Sequence, residues 1–220
     1  AAASLWMMDE PNPPADRPLI FVEDPEQALQ QMAIAYRNEH QATFIGITGS
    51  NGKTSSKDIL AGALAPYYKV QKTIGNFNNQ LGLPITILQL DEDTEVSVLE
   101  MGMSDFGEIE FLTRLARPHY AIITNIGEAH MQDLGSREGI AKAKFEIVKG
   151  LAEDGVLFFD GDEPLLQDLV ANTSVKTQSF GFKAGQDLVA SNIRTVDAGS
   201  RFQVEGLLNG EFYISVLGEH

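Results

Sequence analysis

The chain of 220 residues contains no cysteine, which excludes a disulfide framework and any thiolate metal site. It is also poor in basic residues, with 16 Lys and Arg against 31 Asp and Glu and a net charge of -15. That balance excludes a general binder of nucleic acid or anionic membranes, because counterion release needs clustered cations. Any anionic ligand must be held by a few local groups. Long apolar runs are missing as well: none approaches the roughly 18 to 20 residues of a membrane span. The N-terminus has no basic region followed by an apolar core, as a leader would. It has no initiating Met either, which points to a piece of a longer chain, and the lack of cysteine fits a reducing, cytoplasmic setting.

What is present suffices for a full core, since 43% of the residues are hydrophobic. Residues 1–18 end in PNPPADRP, which cannot form regular structure and reads as a linker or loop. LIFV at 19–22 is a short strand. Asp24 followed by Pro25 starts a helix, with Gln27 in the capping-box position and Leu29, Met32, Ala33 and Tyr36 on one apolar face. From residue 43, apolar runs at 44–48, 69–73, 96–99, 121–124 and 156–159 alternate with helical patterns. Near-continuous apolar strands between helices predict an α/β fold, a mostly parallel sheet with helices on both faces. Beyond residue 175 the pattern shortens and alternates, and the pair Asn209 and Gly210 sits between two such runs. This predicts a small antiparallel β extension of the same domain, closed by a tight hairpin turn.

In parallel sheets of this kind, ligands bind beyond the carboxyl ends of the strands. The first such end carries GITGSNGKTSSKD, residues 46–58. Glycines between a strand and a helix starting with Lys-Thr supply backbone N–H groups for phosphate, with Lys53 for the outer phosphates and Thr54 for Mg2+. The usual eight-residue phosphate-loop pattern would place a glycine where Ile47 stands; here a glycine falls at Gly49 instead. The bland alternative, a glycine turn capped by Thr54, is weaker because of the placement after a strand.

Later strand ends add candidates. Glu100 is either a solvated strand terminus or a carboxylate for Mg2+ or a positioned water. NIGEAHM brings Asn125, Glu128 and His130 together, where His130 is either a structural residue or a ligand. On the helix from about residue 136, Ile140, Ala143, Ile147, Val148 and Leu151 mark an inward stripe. Lys144 falls inside that stripe, whereas Lys142 and Lys149 fall outside it. Lys144 therefore either snorkels past apolar surface or is a buried amine of lowered pKa that is functional or chemically modified. Asn76, Asn78 and Asn79 either cap turns or orient a polar substrate. Asp160 and Asp162 either face a ribose or start the helix that holds Pro164.

TGSNGKTSSKD, GNFNNQLGLP, LEMGMSDFGEI and TNIGEAHMQDLGSREGIAKAKFEI, in that order, resemble the successive signatures of the Mur ligases. The resemblance runs from about residue 16 to the end, and it is strongest to the branch that adds D-alanyl-D-alanine to a UDP-N-acetylmuramoyl tripeptide. It implies a shortened phosphate loop, Gly-x-x-Gly-Lys-Thr, which accounts for Ile47, with Gly49, Ser50, Asn51, Gly52, Lys53, Thr54 and Ser55 binding ATP. It implies Mg2+ ligation by Thr54, Glu100 and His130, and a carbamylated Lys144 that helps hold a second Mg2+. By the same resemblance Lys53, Glu100, His130 and Lys144 form the catalytic set, and Asn78 and Asn79 lie near the muramoyl substrate. The implied division makes residues 1–40 the tail of a UDP-substrate domain with its linker, and 41–220 a central ATP-binding domain that is incomplete at its C-terminal end. The same resemblance implies that a C-terminal ligase domain is missing from these residues, which alone are expected neither to ligate nor to bind nucleotide tightly. The partners implied are small molecules met by a cytoplasmic monomer that does not bind nucleic acid. Rivals are a folylpolyglutamate-type or other Mur ligase, and a non-catalytic nucleotide-binding module, which would leave Lys144 without a role.

Overall fold

The computed structural model describes residues 4–128, 131–196 and 198–215. Its centre is β3 (Thr43–Thr48), which sends Phe44 into one hydrophobic cluster and Ile45 and Ile47 into another. Alternate side chains of one strand thus feed cores on the two faces of the sheet, as the two-residue strand period requires. Around it stand β4 (Val70–Lys72), β5 (Val96–Glu100), β6 (Tyr120–Ile123), β7 (Val156–Asp160), β8 (Lys176–Gly181), β9 (Leu188–Val196), β10 (Gly199–Gly206) and β11 (Gly210–Ile214). The nine strands run in the order β11-β10-β9-β8-β7-β6-β3-β5-β4.

Every pairing from β4 across to β9 is parallel, and only β9-β10-β11 is antiparallel. The predicted sheet is therefore present, with its antiparallel part starting two strands after residue 175. The hairpin turn also differs from the expectation. Gly210 already pairs with Val204, so it opens β11 while Asn209 closes the loop by accepting from the Gly206 N–H at 3.2 Å.

α2 (Lys53–Leu64) covers one face, placing Leu60, Ala61 and Leu64 against Ile45, Ile47, Val96 and Val98. The other face is covered by α3 (Gly82–Leu88), α4 (Glu108–Ala116) and α6 (Arg137–Phe145), the last continuing as a 3-10 turn over Glu146–Gly150. The short helices α5 (Met131–Leu134) and α7 (Pro164–Val170) complete the chain.

At the N-terminal end the structure departs from the sequence reading. Ser4–Met7 is a strand, β1, lying parallel to β2 (Leu19–Val22), so the segment before the prolines is not simply linker. α1 (Pro25–Glu39) is capped as expected, the Asp24 carboxylate accepting from the N–H of Glu26 and Gln27. Its inward face is shifted: Met32 is exposed, and Arg37 is buried. The Arg37 guanidinium lies 4.2 Å from the centre of the Phe44 ring and donates to the last carbonyls of α4, those of Ala116 and Arg117. A cation at a helix C-terminus meets both unpaired carbonyls and the negative end of the dipole.

Candidate active site

Four strand ends meet at the head of α2. The loop after β3 turns on two glycines of positive φ, Gly49 at 153° and Gly52 at 77°. Gly49 is required twice over, since a Cβ there would also stand 1.9 Å from the Thr124 hydroxyl. The loop is tied to the end of β6: the Ser50 N–H donates to the Asn125 carbonyl (3.1 Å), the Asn51 N–H to the Asn125 side chain (3.0 Å), and the Thr124 hydroxyl to the Asn51 carbonyl (2.7 Å). Gly52, the N-cap of α2, offers no side chain to the first turn. The amides of Lys53, Thr54 and Ser55 consequently have no intrahelical acceptor and point at whatever lies beyond the helix, with the positive end of its dipole behind them.

Lys53 bends back over the loop, its ammonium donating to the Gly49 carbonyl at 2.8 Å. Burial holds its pKa below the ordinary lysine value, an effect partly offset by the charge of Glu100. Thr54, on the first turn of α2, donates to Glu100 Oε2 at 2.9 Å. Glu100 is the last residue of β5 and is 3% exposed, so the solvated reading of that strand end is excluded. Its other oxygen accepts from the Asn78 amide at 2.9 Å, and its own N–H donates to the Thr73 hydroxyl.

The two asparagines thus separate. Asn78 orients Glu100, whereas the Asn79 side-chain oxygen Oδ1 accepts from the N–H of Leu81 and Gly82 at the start of α3. Both border a cleft of 430 Å³ that also has Lys53, Gly102, Met103 and Ser104 on its walls.

α6 brings Lys144 in from the opposite face. Lys142 and Lys149 are exposed and Lys144 is 2% exposed, so the periodicity that separated them in the sequence is the periodicity of the packed helix. Lys144 makes no hydrogen bond or ion pair among the described residues. Its pKa is pushed down to about 7, chiefly by burial and further by the charge of Lys53. An amine of that pKa is about half neutral at pH 7, and its neutral form is a nucleophile. His130 lies outside the described residues.

Asp160 and Asp162 make turn contacts. The Asp160 carboxylate accepts from the Asp162 N–H, and that of Asp162 accepts from the N–H of Phe182 and Lys183, while Glu163 rather than either Asp caps α7. Lys57 was not marked by the sequence reading. One turn beyond Lys53, it is 3% exposed and its ammonium stands 3.8 Å from Glu100 Oε2.

The donor set suits Mg2+. Cis oxygens around an octahedral ion with bonds near 2.1 Å are about 3 Å apart, which matches the 2.9 Å between Thr54 Oγ1 and Glu100 Oε2. Among the described residues no group of three or more His, Asp or Glu surrounds one point. That is compatible with an ion that keeps water and phosphate oxygens in its shell.

A parallel sheet with a glycine loop, a lysine and a hydroxyl at the head of the following helix, and a carboxylate on the neighbouring strand define the phosphate-loop class of α/β proteins. Within that class, the Mur ligase middle domain family matches residues 47–220, and the chain belongs to it. The UDP-N-acetylmuramoyl-tripeptide--D-alanyl-D-alanine ligase of Bacillus subtilis is 52% identical over 219 residues, 100% of this chain and 47% of that protein. Among solved structures, MurF from Acinetobacter baumannii superposes with a TM-score of 0.86 at 30% identity, over 98% of this chain and 47% of that one. MurF ligase from Thermotoga maritima in complex with ADP gives 0.82 at 32% identity, over 94% and 48%. The chain thus spans about half the length of the relatives it matches.

Proposed function

We propose that this chain is the ATP-binding part of a ligase that adds D-alanyl-D-alanine to a UDP-N-acetylmuramoyl tripeptide, a cytoplasmic step of peptidoglycan precursor synthesis. The observation that carries the reading is the 2.9 Å contact between Thr54 and the buried Glu100 at the head of the phosphate loop. A hydroxyl beside a buried carboxylate supports the holding of a cation on the outer phosphates of ATP. The choice of acceptor rests on the likeness to the Bacillus subtilis ligase.

A carboxylate is a poor electrophile, so the γ-phosphoryl group of ATP is first transferred to the terminal carboxylate of the tripeptide. The amine of D-alanyl-D-alanine then attacks the acyl phosphate and expels inorganic phosphate. The chain's own groups position and neutralise. Residues 49–55 form the ATP loop, in which the amides of Lys53, Thr54 and Ser55 face the phosphates, and Lys53 leaves the Gly49 carbonyl for them. Thr54 and Glu100 would hold Mg2+, with His130 as the further ligand the family resemblance implies, and the ion would supply charge neutralisation. The neutral amine of Lys144 would add CO2 and release one proton to solvent, giving a carbamate anion able to hold a second Mg2+; its burial, its pKa of about 7 and its lack of a partner among the described residues support this. Asn78 keeps Glu100 in place, and with Asn79 it borders the cleft we assign to the muramoyl side. We assign residues 1–40 to the end of a UDP-substrate domain and its linker, residues 41–220 to the ATP-binding domain, and the acting form to a monomer.

Phosphate release tests the reading in the gene-encoded polypeptide that contains these residues. ATP, the tripeptide nucleotide and D-alanyl-D-alanine together should give phosphate, and omitting the dipeptide should stop it. Release with glutamate and a folate, or with a single amino acid, in place of the dipeptide would overturn the assignment.

A further inference from the structure

Glu100 is ringed by more partners than a cation site needs. Besides Thr54 and Asn78, it faces the Lys57 ammonium at 3.8 Å, and the side chains of Lys57 and Glu100 are each 4% exposed. Lys57 has a second carboxylate within reach, that of Asp58 at 3.6 Å, but Asp58 is half exposed and the same oxygen accepts from Lys72 at 2.8 Å. Glu100 is therefore the only buried anion that Lys57 meets among the described residues. A buried ion pair is retained at a desolvation cost that an apolar pair would avoid, which makes its position informative.

We infer that Lys57 is the resident counter-ion of Glu100, a positioning residue whose charge biases the Glu100 site against free divalent cation and toward nucleotide. This rests on the reading of Glu100 as a cation ligand. The logic is one of fixed charge. A single positive charge beside the ligand carboxylate repels an incoming divalent ion and attracts the phosphates of a nucleotide. Free Mg2+ is discouraged from sealing the carboxylate before ATP arrives. Lys57 is too deeply placed on α2, one turn behind Lys53, to serve as a phosphate-loop lysine itself.

The experiment measures two affinities in the gene-encoded polypeptide: that of Mn2+ alone, by electron paramagnetic resonance, and that of ADP alone in chelator, by calorimetry. Lys57→Met should bind Mn2+ about tenfold more tightly and ADP roughly threefold more weakly, since removal of one charge acts oppositely on a cation and an anion. Lys57→Arg should restore both values. A lysine that merely supports the fold would move both affinities in the same direction or neither, and that result overturns the inference. Lys57→Gln, whose amide still donates to Glu100, makes the same measurement if the methionine variant does not fold. Two controls address the underlying reading separately. If Lys53→Met leaves ADP binding unchanged and Glu100→Gln leaves Mn2+ binding unchanged, the phosphate-loop assignment fails, and the counter-ion falls with it.

Discussion

At the scale of the residue, the site is a balance of three lysines and one carboxylate, each lysine in a different state. Lys53 is hydrogen-bonded to its own loop, Lys57 is paired with Glu100, and Lys144 is buried without either kind of partner among the described residues. Lys144 is the costly one. Its pKa falls from 10.5 in the unfolded chain to about 7 in the fold, so the folded state releases this proton earlier. The resulting destabilisation is complete below pH 7 and is relieved as pH rises toward 10.5. In CO2-free buffer, Lys144→Met should raise the melting temperature, most at pH 7 and below, with the gain shrinking toward pH 10. The same substitution should abolish ligation, a separation of stability from activity expected when a strained group is functional. Carbon-13 bicarbonate should give a carbamate resonance in the parent protein that Lys144→Met lacks. Thr54→Ala should leave ADP binding in chelator nearly unchanged while removing most of its enhancement by Mg2+, as calorimetry with and without the ion would register.

At the scale of the element, helix ends and strand ends do the positioning. Asp24→Ala removes an acceptor for two first-turn amides of α1 and should cost about 1 kcal/mol in denaturant unfolding. At the start of β6, His119 Nδ1 accepts from the Phe44 N–H at 3.0 Å, so the bonded ring is neutral, with its proton on Nε2. Burial and the nearby Arg37 lower the His119 pKa below 6.5. A base with a depressed folded pKa contributes stability that is present above its unfolded value and lost as pH falls through it. The chain should therefore lose stability below about pH 6.5, and His119→Gln should flatten that part of the melting-temperature profile. Strands and helices near residue 43 and beyond were legible in the sequence because each buries both faces or one stripe, which leaves a period. The strand at Ser4–Met7 was not, since its partner lies fifteen residues on and four residues carry no period. Arg37 and Lys57 escaped notice because a cation within a helix reads as surface; only the carbonyls of α4 and the carboxylate on β5 reveal why each is inside. Lys144 was legible by the same periodicity because the stripe around it is otherwise unbroken.

At the scale of the whole molecule, the charge of -15 leaves nucleotide binding to this one local cluster of lysines and amides. Arg37 fastens α1 to the end of α4 across the Phe44 ring. Arg37→Ala would leave two carbonyls without their donor, and we expect a loss of about 3 kcal/mol in a single urea transition rather than fraying of α1 alone. The phosphate loop is fastened with comparable economy, by Thr124 and Asn125 on one side and the two glycines on the other. Position 49 and position 124 must consequently be inherited together. In a library randomised at both, any side chain at 49 meets the Thr124 hydroxyl, so variants at 49 should survive selection only where 124 has shrunk. Sequence drift in this loop is thereby channelled through a neighbour 75 residues away.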